Sequence, residues 1–269
     1  MVSVSVLRSS SSGNSTLIWN KSHAILVDCG LGPRITEELL RAQGFSIENL
    51  SGVLVTHSHR DHSNAITIEK FFHHKIPVYC TPGVKKVILR AQSSKNKNKI
   101  RIFSDEPFAV ESFRITSFHV THDSEGGCVG FCIFSGDGEK AKKISLVTDY
   151  GRPDSVIAES ILNSHLILIA SNYCPEIMEH SSAVPKRIKQ KHIMPYHPSN
   201  DECASVLLSV AQSSTILPKA VYLLHISKNH NTIDKAVARS QGILHDAGYR
   251  QIRVLPTFRD ASSETMQLK

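Results

Sequence analysis

The chain has no long apolar run. Its longest candidates, such as residues 166–170 (Leu-Ile-Leu-Ile-Ala), are strand-sized, far short of the roughly 18 residues of a membrane helix. The start, Met1-Val-Ser-Val-Ser-Val-Leu-Arg8, lacks the charged leader, apolar stretch and small-residue cleavage site of a signal peptide. The six cysteines, Cys29, Cys80, Cys128, Cys132, Cys174 and Cys203, include no C-x-x-C pair. A disulfide framework is not expected in a chain of this size, and free thiols beside apolar runs act as small hydrophobes. These absences set an expectation of a cytoplasmic chain with no membrane attachment and no obligate protein partner. Aromatic residues make up 6% of the chain, with one tryptophan, so an extended base-stacking platform is not expected. No 20–50-residue repeat and no inter-domain linker appears, and residues 93–99 are only a polar loop. The expectation is one domain over residues 1–269.

What is present is enough to build a core: 41% hydrophobic and 20% charged residues. The formal net charge of +7 favours anionic partners. Fifteen histidines are a further excess, and histidine accumulates either by surface chance or for metal and proton chemistry. Position separates the two.

Alternation at Val2, Val4 and Val6 predicts a strand, followed by turn chemistry at residues 9–14. Further strands are expected at residues 17–19, 24–27, 53–56, 114–121, 129–134, 144–148, 166–170 and 221–224. Helices are expected at residues 35–43, 66–72, 84–92, 155–162, 201–212 and 233–247, with Asp154 capping the fourth. Strands alternating with helices suit a layered α/β architecture.

Val53-Leu-Val-Thr leads directly into His57-Ser-His59-Arg-Asp61-His62. Four potential ligands within six residues, at a strand exit, can be aimed at one point. Imidazole and carboxylate suit Zn, Mn, Fe or Co. The same placement recurs at Asp28, His122, Asp149 and His225, each at the exit of an apolar strand. Parallel strands would bring these residues to one edge, where ligand sites in α/β folds lie.

The H-x-H-x-D-H loop, with Asp28 before it and His122, Asp149 and His225 after it, resembles the metallo-β-lactamase fold superfamily from Val4 to about Val254. The finer match is to its WalJ/YycJ-type exonuclease and phosphodiesterase branch. It rests on residues 10–15 (Ser-Ser-Ser-Gly-Asn-Ser), Thr121-His-Asp, Thr148-Asp-Tyr-Gly, His197-Pro-Ser-Asn and His225-Ile-Ser. The resemblance implies an αββα four-layer sandwich with two divalent metal ions, Zn or Mn, at one edge. It implies one ion on His57, His59 and His122, a second on Asp61, His62 and His225, and Asp149 between them. Asp28 would orient a ligand loop. Asp61, Asp149 and His197 would form the catalytic set. His119 is the alternative to His122, and His197 the alternative to His225. The branch pattern Glu-Ser-Asn-His-Asp is replaced here by Ala170-Ser-Asn-Tyr-Cys174, which points to an altered substrate surround.

Such a site implies hydrolysis of phosphodiester bonds by a metal-bridging hydroxide, with DNA exonuclease action as the leading expectation. The alternative is a small ester, thioester or cyclic nucleotide on the same ions. A carboxylate at Asp149 argues against β-lactam hydrolysis, as the family's lactamases lack it. The segment between Asp149 and His225 is too short for the large insert of β-CASP nucleases. Two basic runs suit a nucleic-acid or other phosphodiester substrate: Lys85, Lys86, Lys95, Lys97, Lys99 and Arg101, and Lys186, Arg187, Lys189 and Lys191. Ser199 and Asn200, at a helix start, are further candidates for phosphate contact.

Overall fold

A computed structural model describes residues 1–92 and 97–269. The loop expected at residues 93–99, with Lys95, lies largely outside the described residues.

Two seven-stranded sheets face each other. The first contains β1 (Val2–Arg8), β2 (Ser15–Asn20), β3 (Ala24–Val27), β4 (Leu50–Leu54), β5 (Val78–Cys80), β6 (Ile100–Ile102) and β14 (Met266–Leu268), in the order β14-β1-β2-β3-β4-β5-β6. The second contains β7 (Phe108–Val110), β8 (Phe113–Val120), β9 (Cys128–Ser135), β10 (Lys142–Val147), β11 (Leu166–Ala170), β12 (Ala220–Leu224) and β13 (Arg253–Pro256), in reverse chain order. Helices α1 (Pro33–Ala42), α2 (Ala65–His73) and α3 (Pro82–Ala91) cover the first sheet. Helices α4 (Ser155–Ile161), α7 (Asn200–Ser213) and α8 (Ile233–Asp246) cover the second. The short helices α5 (Pro175–His180) and α6 (Lys186–Ile188) lie before α7.

Three cores produce this four-layer αββα sandwich. Val4, Ile18, Ile25, Phe131, Leu168 and Tyr222 meet between the sheets. Phe71, Ile68, Leu40 and Ile88 pack the first helices against Leu17, Leu26 and Val53. Ile157, Leu207, Val210 and Leu244 pack the others against Ile167, Ile169 and Leu223. Strands covered on both faces read as continuous apolar runs, which is why residues 166–170 carry no alternation. In β1 the alternation is real, yet Ser3 and Ser5 are buried too. Phe71 is fully buried, and its truncation to alanine would cost about 3–5 kcal/mol.

Strand direction positions the site. β3 and β4 are parallel, as are β10, β11, β12 and β13. β8 and β10 each pair antiparallel with β9, so β8 and β10 point the same way. The five strands named by the histidine and aspartate pattern therefore deliver their C-terminal ends to one edge.

Candidate metal centre

Two groups of donor atoms gather at that edge. His57, His59 and His122 form one, and Asp61, His62, Asp149 and His225 the other, with the atoms of each group within 4.8 Å of one another. In the first, His59 Nδ1 lies 3.2 Å from His57 Nε2 and 3.1 Å from His122 Nε2. Nitrogens bound tetrahedrally to one ion at about 2.0–2.1 Å would be roughly 3.3–3.4 Å apart. In the second, Asp61 Oδ2 is 3.6 Å from His62 Nε2 and 3.4 Å from His225 Nε2. Asp149 lies between the groups: its Oδ2 is 2.9 Å from His62 Nε2 and 3.6 Å from His57 Nε2.

The surrounding hydrogen bonds set which ring nitrogens carry protons. His62 Nδ1 donates to Asp28 Oδ2 at 2.6 Å, leaving Nε2 for the centre. Asp28 also accepts from the Thr56 backbone N–H and hydroxyl. The Thr56 oxygen is in turn 3.0 Å from His57 Nδ1 and accepts its proton. One carboxylate thus fixes His62 directly and His57 through a hydroxyl. His122 Nδ1 donates to the Tyr196 carbonyl at 3.0 Å. With those protons committed, His57 Nε2 and His122 Nε2 both turn lone pairs on His59 Nδ1, which has at most one proton to give. Asp149 Oδ1 is buried without a hydrogen-bond partner. Converging lone pairs and an orphaned carboxylate oxygen fit a cation in each group.

The two groups differ in charge. Burial, helped by the nearby His62 charge, holds the His57 imidazole well below its usual value. Burial also brings His122 down to about 4. Burial acts the same way on His62, but Asp28 and Asp149 outweigh it and raise His62 well above the histidine range. His225 is raised similarly, with Asp149 and Asp61 overcoming its burial. Burial opposes ionisation of Asp61, yet the His225 hydrogen bond and the His62 charge hold its carboxyl at about 2. For Asp149, His225 and His62 likewise overcome burial and lower it.

Local backbone supports the placement. Asp28 and His225 both sit at positive φ, 61° and 53°, a costly conformation that clusters at functional sites. Gly30 passes so close to the metal loop that a Cβ there would lie 1.7 Å from the Asp61 carbonyl oxygen. Asn64 caps α2 immediately after the loop.

His197 lies beside the centre, its Nδ1 3.3 Å from Asp149 Oδ1 and its ring stacked on His225. His225, not His197, belongs to the second donor group. His119 is exposed on β8 and meets Asp105 at 3.1 Å, away from the centre. Three expected phosphate contacts are corrected. Lys189 is buried, its ammonium donating to the Met178 and Ser181 carbonyls. Ser199 is occupied in a capping box with Glu202. Asn200 is buried in a network with Ser171 and Asn231. Each has its side chain engaged with other groups of the protein. Lys186, Arg187 and Lys191 remain exposed.

Several supporting residues escape sequence reasoning. Thr56 bears no signal beyond ending an apolar run. Ser9 accepts the His225 N–H, and the Asn14 amide nitrogen lies 3.0 Å from His62 Nε2. Asn172 reaches His225 Nδ1 and carbonyl oxygen. The matches at residues 10–15 and at Ser171-Asn172 were the available hints for Asn14 and Asn172.

A family model described as a β-lactamase superfamily domain matches residues 23–226. The chain belongs to that family. It is 26% identical to the exodeoxyribonuclease YycJ of Bacillus anthracis, over 91% of this chain and 90% of that protein. It is 28% identical to the exodeoxyribonuclease WalJ of Streptococcus pneumoniae serotype 2 (strain D39), over 84% and 82%. Among solved structures, the metallo-β-lactamase fold protein YhfI from Bacillus subtilis matches with a TM-score of 0.73 at 16% identity, covering 99% of this chain and 100% of that one. The chain is a metallo-β-lactamase fold hydrolase of the YycJ/WalJ branch, with His and Asp clusters suited to metal. No helix among the described residues is long and apolar enough to cross a membrane.

Proposed function

We propose that the protein, acting as a single domain over residues 1–269, is a dinuclear metal-dependent phosphodiesterase, and specifically a DNA exonuclease. The observation that carries this reading is Asp149, a buried carboxylate between two donor groups with one oxygen that accepts no hydrogen bond. Two divalent ions, Zn or Mn, would supply an activated water and neutralise charge building on the phosphoryl oxygens. His57, His59 and His122 would hold one ion, Asp61, His62 and His225 the other, and Asp149 both. Asp28 orients His62 and, through Thr56, His57. His197, half-buried beside Asp149, can deliver a proton to the departing oxygen.

Lys186, Arg187 and Lys191 supply exposed positive charge on the segment leading to His197, which suits a polyanion. The exodeoxyribonuclease names of the two relatives support DNA as the substrate. Six free, buried cysteines suit a reducing compartment, here assigned as the cytoplasm.

The test compares metal-loaded protein on bis(p-nitrophenyl) phosphate, a thioester, and DNA labelled at the 5′ or 3′ end. Diester cleavage with stepwise loss of mononucleotides from one end is expected, together with two metal ions per chain. Thioester turnover without diester turnover would overturn the reading in favour of a small-acyl hydrolase.

A further inference from the structure

Beside the candidate centre lies a groove lined by none of the metal-donor residues above, with Lys186, Lys189 and Ser199 on its wall. It consists of two adjoining cavities of ≈ 810 and ≈ 560 Å³ that share Tyr173, Gln190, Met194 and Glu202. Its inner end is built by Thr121 and Pro195, the neighbours of His122 and of the Tyr196 carbonyl that holds it. Gly151 closes this end: its N–H donates to the Thr121 carbonyl at 2.6 Å, and a Cβ there would meet the Pro195 carbonyl at 2.4 Å. The same backbone that positions His122 therefore forms the groove's wall.

The lining is mixed in a particular way. Tyr173 forms a buried floor, pinned by backbone hydrogen bonds from its N–H to Pro198 and from Asn200 to its carbonyl. Pro175, Met178, Val184, Pro185 and Met194 supply apolar walls, and Met194 is 40% exposed with no apolar partner over that surface. Against these stand Gln190, an exposed amide with no side-chain hydrogen bond among the described residues, and Arg152, an exposed guanidinium with no ion pair among them. Small-molecule pockets are largely apolar with a few convergent polar groups, in this size range. An acyl chain would leave Arg152 and Gln190 unused. A duplex is too wide for the space. A single nucleotide uses these groups together: an aromatic ring and thioethers for the base faces, an amide for the base edge, and a guanidinium for phosphate. Glu202, on the wall of both cavities, is engaged by the Ser199 N–H and hydroxyl.

The geometry points to this groove as a binding site for the unpaired terminal nucleotide of a polynucleotide substrate. Its base lies between Tyr173 and Met194, its edge meets Gln190, and Arg152 takes a phosphate beside the scissile one. This rests on the phosphodiesterase reading and deepens it, since a groove that takes one unpaired nucleotide favours chain ends.

The experiment titrates metal-loaded protein with dAMP and with deoxyribose 5-phosphate, which shares the sugar and phosphate but has no base. The dAMP is expected to bind about tenfold tighter or more. In Met194→Glu and Gln190→Ala, both at exposed positions that leave the core intact, that advantage should fall to about twofold or less. An oligonucleotide with an abasic terminal residue should show a KM raised by about tenfold in the wild-type protein only. Equal binding of the two ligands, or an unchanged preference in both variants, overturns the groove assignment even if diesters are cleaved. A base preference in a protein that cleaves no diester overturns the phosphodiesterase reading and leaves the nucleotide site standing.

Discussion

The two halves of the candidate centre are built on opposite electrostatic plans. The three-histidine half contains neutral imidazoles whose protons are taken by Thr56 and the Tyr196 carbonyl. Nothing negative lies within it, and His57 and His122 are both held below the histidine range by burial. The carboxylate half is an ion-pair network. Asp61 and Asp149 are ionised, and His62 and His225 are raised toward the charged form. Without metal, the second half can hold itself together by internal charge pairing, while the first has only mutually facing lone pairs. The difference teaches that preorganisation here is of two kinds: charge pairing on one side, tautomer control by hydrogen bonds on the other. Asp28 and Asp149 are the residues that join them.

The largest effect should come from Asp149, which faces both halves. Asp149→Ala should reduce hydrolysis by on the order of 10³-fold or more, with loss of bound metal measured by elemental analysis. His119→Ala, removing a histidine three positions from His122 but outside the centre, is expected to leave metal content and activity near wild-type. Equal losses in the two variants would collapse the distinction between Asp149 and its surroundings.

Asp28→Asn comes next and should touch both halves. It weakens the acceptor for His62 Nδ1 and for the Thr56 hydroxyl that orients His57. Metal affinity by competitive chelation should fall about 10–100-fold at both sites. Thr56→Val should lower only the three-histidine site, since the His62–Asp28 bond does not pass through the hydroxyl. If Thr56→Val weakened both sites alike, the halves would not be separable.

The metal-free protein offers a pH contrast. Asp61 drops from an ordinary 3.8 to about 2 on folding, so its contribution is present above the unfolded value and lost as pH falls through the folded one. His62 and His225 are raised. Their contribution is complete below the ordinary histidine value of about 6.5 and lost as pH rises through their folded values. His57 and His122 are held below that value, so each costs stability as pH falls under about 6.5. Chelator-treated protein should therefore melt highest near pH ~6.5 and less well on either side. His62→Gln should flatten the alkaline limb, whereas His122→Gln, in the other half, should not.

Much of this centre was legible because chemistry-bearing residues sit directly after apolar strands. Asp28, His57, His122, Asp149 and His225 each follow a run that must be buried, so the strand ends could be located from hydrophobicity alone. The short strands β5, β6, β7, β13 and β14 were not seen. Three or four residues carry too little periodicity, and they are set by pairing with longer neighbours. Thr56 and Ser9 act through hydrogen bonds that reach Asp28 and His225, residues distant in sequence, which no local pattern encodes. Lys189 failed for a different reason. A basic run reads as a solvated face, but the chain turns through a wide helical turn over Lys189–Ile193, and that rotation sends one ammonium inward to the Met178 and Ser181 carbonyls.

The smallest expected effect separates Lys189 from its neighbours and carries the charge argument to the surface. If Lys186, Arg187 and Lys191 contact phosphates, each one lost should reduce the log–log salt slope of DNA binding by about 0.7–0.9. The triple alanine variant should lower the slope by about 2–3 in all, with affinity affected most at low salt and the melting temperature little changed. Lys189→Ala should behave in the opposite way. Its ammonium is already committed to two carbonyls, so the salt slope should stay as it is while stability falls by about 1–3 kcal/mol, from the acceptors left unpaired. A triple variant with an unaltered slope would mean that the exposed cations are a solvated face, and the DNA assignment would lose its electrostatic support. A Lys189→Ala variant with a reduced slope and full stability would mean that this ammonium turns outward to meet substrate, and that the inward turn of the segment is not the state that binds DNA.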